Sequence, residues 1–254
     1  MMKTITLQKE NIYKGNLILV NAMHPLRFFP EEGFIAADIK FPHILMKNDA
    51  ANILSLILKK ICSYDEIIPV SGYRSETEQR QIYADSLRDN GENFTRKFVA
   101  LPGHSEHQTG LAIDLGLKKD IIDFIRPDFP YEGICQEFRK MAIRYGFVER
   151  YQRTKEKITG IAHEPWHFRY VGYPHSDIMN AHQLSLEEYV DYIKRFEYGR
   201  EHLQREIHGK PMEVFYVPAN GSKSTISIPE QSVYQVSGNN VDGFIITLWR
   251  SGNE

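Results

Sequence analysis

Cysteine is nearly absent: the chain has two in 254 residues, Cys62 and Cys135. That excludes a disulfide scaffold and a cysteine-built structural metal site. Each cysteine sits in an apolar pattern of helical spacing, so both read as reduced core thiols. Long hydrophobic runs are missing as well. The apolar run near the start, residues 17–20, is far too short for an export signal or a membrane span. A dominant charge of either sign is also lacking. The formal net charge is -2, which gives no electrostatic case for nucleic acid or an anionic membrane surface. Internal repeats and low-complexity tracts do not occur. What remains is a soluble globular chain of cytoplasmic character, long enough for one larger domain or a domain with an appendage.

What the chain does have is a stretch rich in ligand chemistry, residues 103–114, Gly-His-Ser-Glu-His-Gln-Thr-Gly-Leu-Ala-Ile-Asp. His107 and Asp114 flank Gly110, which lets the backbone bend. After Gly110 the pattern predicts a strand. Leu111, Ile113 and Leu115 face one way, and Ala112, Asp114 and Gly116 the other. A carboxylate between small residues on a buried strand face needs a cation. An arginine or lysine partner would serve, and so would a metal.

A second cluster, His163-Glu164-Pro165-Trp166-His167, tips that choice toward a metal. It matches His-Glu-x-x-His, which on a helix sets two zinc ligands on one face. Pro165 argues against helix. Trp166 to Val171 is aromatic and alternates as a strand does, with Trp166, Phe168 and Tyr170 on one face and His167 and Arg169 on the other. His167 is therefore expected as the ligand, Glu164 as a base placed by the Pro165 bend, and His163 as no ligand. His107, Asp114 and His167 would leave one tetrahedral position open. That is the pattern of catalytic zinc, one ion per chain.

The order Ser-x-His-x-x-Gly-x-Ala-x-Asp (Ser105, His107, Gly110, Ala112, Asp114) followed by Glu-x-x-His (Glu164, His167) resembles the zinc D-alanyl-D-alanine peptidases. These share a fold with lysostaphin-type enzymes and the hedgehog signalling domain. The resemblance covers about residues 17–171 and is strongest to the VanXY-type enzymes of vancomycin resistance. It implies a D,D-dipeptidase and D,D-carboxypeptidase acting on D-Ala-D-Ala and on the peptidoglycan precursor. Tyr73-Arg74-Ser75 matches the family's Tyr-Arg-Ser motif, which implies that Arg74 stabilises the oxyanion. By the same resemblance Ser105 binds the dipeptide terminus and Gln79 lines the substrate site. Tyr73 and Ser71 are counted with the substrate contacts, and Trp166 either walls the pocket or fills core. Two other readings stay open: a lysin-like cell-wall endopeptidase, and a non-catalytic zinc-stabilised binding module.

The expected fold is α+β: a small antiparallel sheet carrying a zinc site, flanked by helices, with a C-terminal β appendage. Residues 1–209 form the catalytic domain and 210–254 the appendage. The pattern predicts an edge strand at 16–21, a helix from Ala50 to Ile61, and a strand at 67–70. A capping box, Ser75-Glu-Thr-Glu78, starts a helix to about Leu87. A loop spans 89–105 and is the candidate control on substrate length. A short helical turn follows at 120–125, then a helix at 132–145 and a strand at 147–150. Basic residues in 150–157 read as a solvated loop. His104 and His175 are assigned no role in the site, nor are His182, His202 and His208. The appendage extends the core sheet, covers the site's rim or makes a homodimer.

Overall fold

The structure, a computed structural model, describes residues 1–63, 65–207 and 210–250. His208 and the expected boundary at 209 lie outside them. Contacts divide the chain into two units: Val20–Ser185, and Met1–Leu19 with Leu186–Glu254.

The second of these is β-rich. Its first strand, β1 (Met2–Gln8), pairs antiparallel with a strand more than 200 residues later, so Met1–Leu19 joins this unit. The expected strand at 16–21 does not form. Its backbone is used differently: Leu17 N donates to Ser237 Oγ at 2.9 Å and Leu19 N to Asn239 O at 3.0 Å.

The larger unit carries the motifs. A short hairpin, β2 (Phe34–Ala36) and β3 (Leu45–Lys47), leads into α1 (Asn48–Lys60). Ala50, Leu54, Ile57 and Leu58 of α1 turn inward at helical spacing. Full burial of each large side chain is worth about 1.5–3 kcal/mol. Cys62, just past this helix, is exposed rather than core, while Cys135 is buried, and both are free thiols. Next come β4 (Ile67–Ser71) and α2 (Glu76–Asn90). The Ser75–Glu78 capping box is present: Ser75 Oγ accepts from Glu78 N, and the Glu78 carboxylate accepts from Ser75 N. The expected long loop contains a helix, α3 (Glu92–Phe98), started by Gly91. Buried Thr95, bonded to Ser86, ties it to α2.

A 3-10 turn at Glu106–Thr109 ends at Gly110, whose φ of 72° lies in the left-handed region that glycine tolerates. From there run β5 (Ala112–Leu117), α4 (Gly133–Arg144), β6 (Phe147–Tyr151), the single turn α5 (Glu156–Thr159), β7 (Glu164–Tyr170) and α6 (His175–Ala181). Residues 120–125 form bends and no helix, consistent with Pro127 and Pro130 close behind. The sheet is antiparallel in the order β4-β5-β7-β6. Leu111, Ile113, Leu115 and Phe168 enter a core shared with α1 and α4, where Phe129, Phe138 and Phe168 meet edge to face.

Back in the β-rich unit, α7 (Leu186–Ile193) precedes β8 (Leu203–Ile207), β9 (Lys210–Pro218), β10 (Lys223–Pro229), β11 (Val233–Gly238) and β12 (Gly243–Trp249). Four of these form a sheet in the order β11-β12-β9-β8, and β10 takes β1. His202 Nδ1 lies 2.7 Å from the carboxylate of buried Glu213, a contact internal to this unit. The whole is α+β with small antiparallel sheets, as expected. Among the described residues, no helix is long and apolar enough to cross a membrane.

Candidate metal centre

Three chain segments bring His107, Asp114 and His167 together. Asp114 of β5 and His167 of β7 are direct cross-strand partners, and the turn before Gly110 delivers His107. One ligand atom from each lies within 4.8 Å of the others, and all three side chains are buried. His107 Nε2 lies 3.1 Å from Asp114 Oδ2, and His167 Nδ1 2.9 Å from Asp114 Oδ1.

The donor set fits a cation. His107 Nδ1 lies 2.7 Å from the Gly72 carbonyl, which can only accept, so this nitrogen carries a proton. When the imidazole is neutral, Nε2 then holds a lone pair aimed at a carboxylate oxygen. Two acceptors facing each other in a buried site repel unless a positive charge lies between them. One imidazole is held neutral: burial first, then the Arg74 charge, push His107 below its usual pKa. His167 goes the other way. Burial lowers it, but the hydrogen bond to Asp114 and the facing Glu106 carboxylate outweigh that and lift it to about 9. A metal would displace that proton.

Glu164 begins β7 and faces the same site, its Oε2 3.8 Å from His167 Nδ1. A bulge puts it there. Between the pairs Tyr151–Glu164 and Glu149–Phe168, β7 advances four residues while β6 advances two. Burial, with the nearby Asp114 charge, raises Glu164 to about 8 despite His167 and Arg74. A carboxyl tuned toward neutrality in a cleft is a candidate acid–base group.

Arg74 follows β4. Its Nε donates to Ser71 Oγ at 3.0 Å, Nη1 to Gln79 Oε1 at 3.3 Å and Nη2 to Asp114 Oδ2 at 3.2 Å. A second bulge, between Pro69 and Ser71, sets Ser71 opposite Asp114. A cavity of about 370 Å³ opens over these groups. Ser71, Arg74, Ser105, Glu164 and Trp166 line it with the His-Asp-His trio.

Gln79 and Tyr73 do not line this cavity. Gln79 is fully buried, donates to Ala100 O at 2.8 Å and braces Arg74 from behind. Tyr73 packs against Phe34, the ring centroids 4.1 Å apart and the planes tilted by 32°. His163 lies apart as well: its Nε2 is 2.7 Å from the Tyr131 hydroxyl, and it lines a different cavity. His104 Nδ1 bonds the Asn21 carbonyl, and His175 is buried at the start of α6 and is not grouped with the trio.

Sequence reasoning missed four residues. Tyr151 walls the cavity and packs its ring 4.8 Å from that of His167. Glu106 is fully buried, with its Oε1 2.8 Å from both Arg150 Nε and Arg169 Nη1. Arg150 was expected in a solvated loop, yet its side chain is fully buried because it sits in β6. Arg169 had a signal: period-two spacing places it on the face of His167. Glu106 had none, since nothing local marks a turn glutamate as buried.

Comparisons with known proteins identify the family. The sequence pattern of the VanY family, D-alanyl-D-alanine carboxypeptidase, matches residues 43–173. The chain is 42% identical over 181 residues to the bifunctional D-Ala-D-Ala dipeptidase and carboxypeptidase VanXYC of Enterococcus gallinarum, covering 70% of this chain and 95% of that one. Its structure is similar to that of the vancomycin resistance D,D-dipeptidase VanXYg bound to a D-Ala-D-Ala phosphinate analogue. The TM-score there is 0.96 with 61% identity, over 98% of this chain and 100% of the other. A mutant of the D,D-pentapeptidase VanY from a VanB-type resistance cassette, solved with Zn(II), matches at TM-score 0.57 and 26% identity. It covers 69% of this chain and 98% of its own.

Proposed function

Because the chain belongs to the VanY family of D-alanyl-D-alanine carboxypeptidases, we propose that it is a zinc-dependent D,D-peptidase of the VanXY type. It hydrolyses the D-Ala-D-Ala dipeptide and removes the terminal D-Ala of the peptidoglycan precursor pentapeptide, in the cytoplasm. Loss of these termini removes the target of vancomycin. The single observation that carries the reading is the buried His107–Asp114–His167 trio with Glu164 and Arg74 on one cavity wall.

His107 Nε2, Asp114 and His167 Nδ1 would hold one zinc ion. When bound, such an ion lowers the pKa of water toward about 7 and polarises the scissile carbonyl. Glu164 takes the water proton and delivers it to the leaving amine. The Arg74 guanidinium neutralises the charge that develops on the carbonyl oxygen. Ser105 and Ser71 offer hydroxyls to the dipeptide terminus, and Trp166 supplies an apolar wall. Gln79 acts through Arg74, whose fork it holds from the protein side.

The deciding experiment measures D-Ala release from the free dipeptide and from the pentapeptide, with and without a chelator. Release from both, abolished by the chelator and restored by zinc, is the expected result. Release that survives metal removal would overturn the zinc reading.

A further inference from the structure

Glu106 has one oxygen in use and one in reserve. Its Oε1 takes both buried guanidiniums, Arg150 Nε and Arg169 Nη1, each at 2.8 Å. Arginine–carboxylate pairs frequently engage both oxygens in a fork. Here Oε2 is buried with no hydrogen-bond partner in normal geometry, and so is His167 Nε2. The two atoms face each other at 3.5 Å. With two buried guanidiniums 2.8 Å from Oε1, Glu106 is matched as an anion, and a carboxylate can only accept.

We propose that Glu106 is the positioning residue of the metal centre: clamped by Arg150 and Arg169, it keeps the proton of His167 on Nε2 and turns the Nδ1 lone pair toward the ion. This rests on the zinc reading above and adds what sets the ligand's tautomer. The two histidines are thereby locked in opposite tautomers. The Gly72 carbonyl fixes His107 with Nδ1–H and a free Nε2, while Glu106 fixes His167 with Nε2–H and a free Nδ1. Both lone pairs then converge on Asp114. An anion behind an imidazole also makes it a more basic ligand.

The substitution Glu106→Gln separates this role from bulk packing. The amide oxygen would stay with the two arginines, and the amide NH2 would then meet His167 Nε2. Donor against donor favours the wrong tautomer, with the proton on Nδ1. Zinc affinity, measured by competition with a chromogenic chelator, should fall about 10- to 100-fold. Glu149→Gln is the control. It also strips a carboxylate from a buried arginine, Arg139 (2.9 Å), but away from the trio. Its thermal stability should drop while zinc affinity stays within about twofold. A folded Glu106→Gln protein with parental zinc affinity would overturn the proposal. Should that variant fail to fold, the parent decides: long-range 1H–15N spectra of histidine-labelled, zinc-loaded protein should show His167 protonated on Nε2. Protonation on Nδ1 would overturn the proposal. A parent chain that takes up no zinc would instead sink the zinc reading beneath it.

Discussion

Glu164 Oε2 stands 3.8 Å from His167 Nδ1, although residues three apart on a regular strand point to opposite faces. The bulge opposite Tyr151 removes that conflict. Pro165 occupies the bulge, where its missing N–H breaks no ladder bond. The proposed base and the proposed ligand thus depend on one backbone irregularity.

Glu164→Gln keeps the shape of the side chain and removes its basicity. The expected protein folds, retains one zinc by metal analysis, and loses about 10²–10⁴ in turnover on D-Ala-D-Ala. Turnover within tenfold of the parent would remove Glu164 from the role of base.

Arg74→Ala tests the other side of the cavity. Loss of a donor aimed at a developing oxyanion costs about 2.7–4 kcal/mol, or 10²–10³ in kcat. KM should change less, since the contact strengthens as charge develops. Lysine should not rescue, because only the planar fork can bond Ser71, Gln79 and Asp114 together. Gln79→Ala should lower kcat by a smaller factor, acting through Arg74. Steady-state kinetics on the dipeptide read all three variants, and a pure KM effect in Arg74→Ala would assign it to ground-state binding.

His175 gives the fold a pH dependence. Burial pushes its pKa down to about 3, so it stays neutral when folded but takes a proton near 6.5 when unfolded. Between those values the unfolded chain binds more protons, and stability rises with pH. Its contribution is full above about pH 6.5 and falls by about 1.4 kcal/mol per unit below. Urea unfolding at pH 7.5 and 5 should lose about 2 kcal/mol from this group. The His175→Gln chain should show a correspondingly shallower decline, and equal declines in both proteins would refute the assignment.

The sequence disclosed the reactive groups better than their supports. His107, Asp114 and His167 stand out because ligand side chains on strands of small or aromatic residues break the local pattern. Gln79 and Tyr73 sit close to Arg74 in sequence, yet a helix start and the β2–β3 hairpin turn them from the cavity. Burial of charge is hardest to read. Arg150 lies among basic residues that are exposed, and only its place in β6 separates it from them. The pairing of β1 with β10 is invisible for a related reason: no local signal links residues more than 200 positions apart.

The sharpest test of the site is which histidine of His163-Glu164-Pro165-Trp166-His167 binds the metal. A helix would use both His163 and His167, one turn apart. The strand assigns them different neighbours. His167 faces Asp114 at 2.9 Å, whereas His163 stacks on Tyr131 and bonds its hydroxyl. His163→Ala should therefore retain one zinc per chain with affinity within a few-fold of the parent. His167→Ala removes one of the three ligands, so it should lose stoichiometric zinc at micromolar protein. Metal analysis after gel filtration distinguishes the two variants. Zinc lost from the first and kept by the second would restore the helical reading and remove the basis for placing Glu164 as the base.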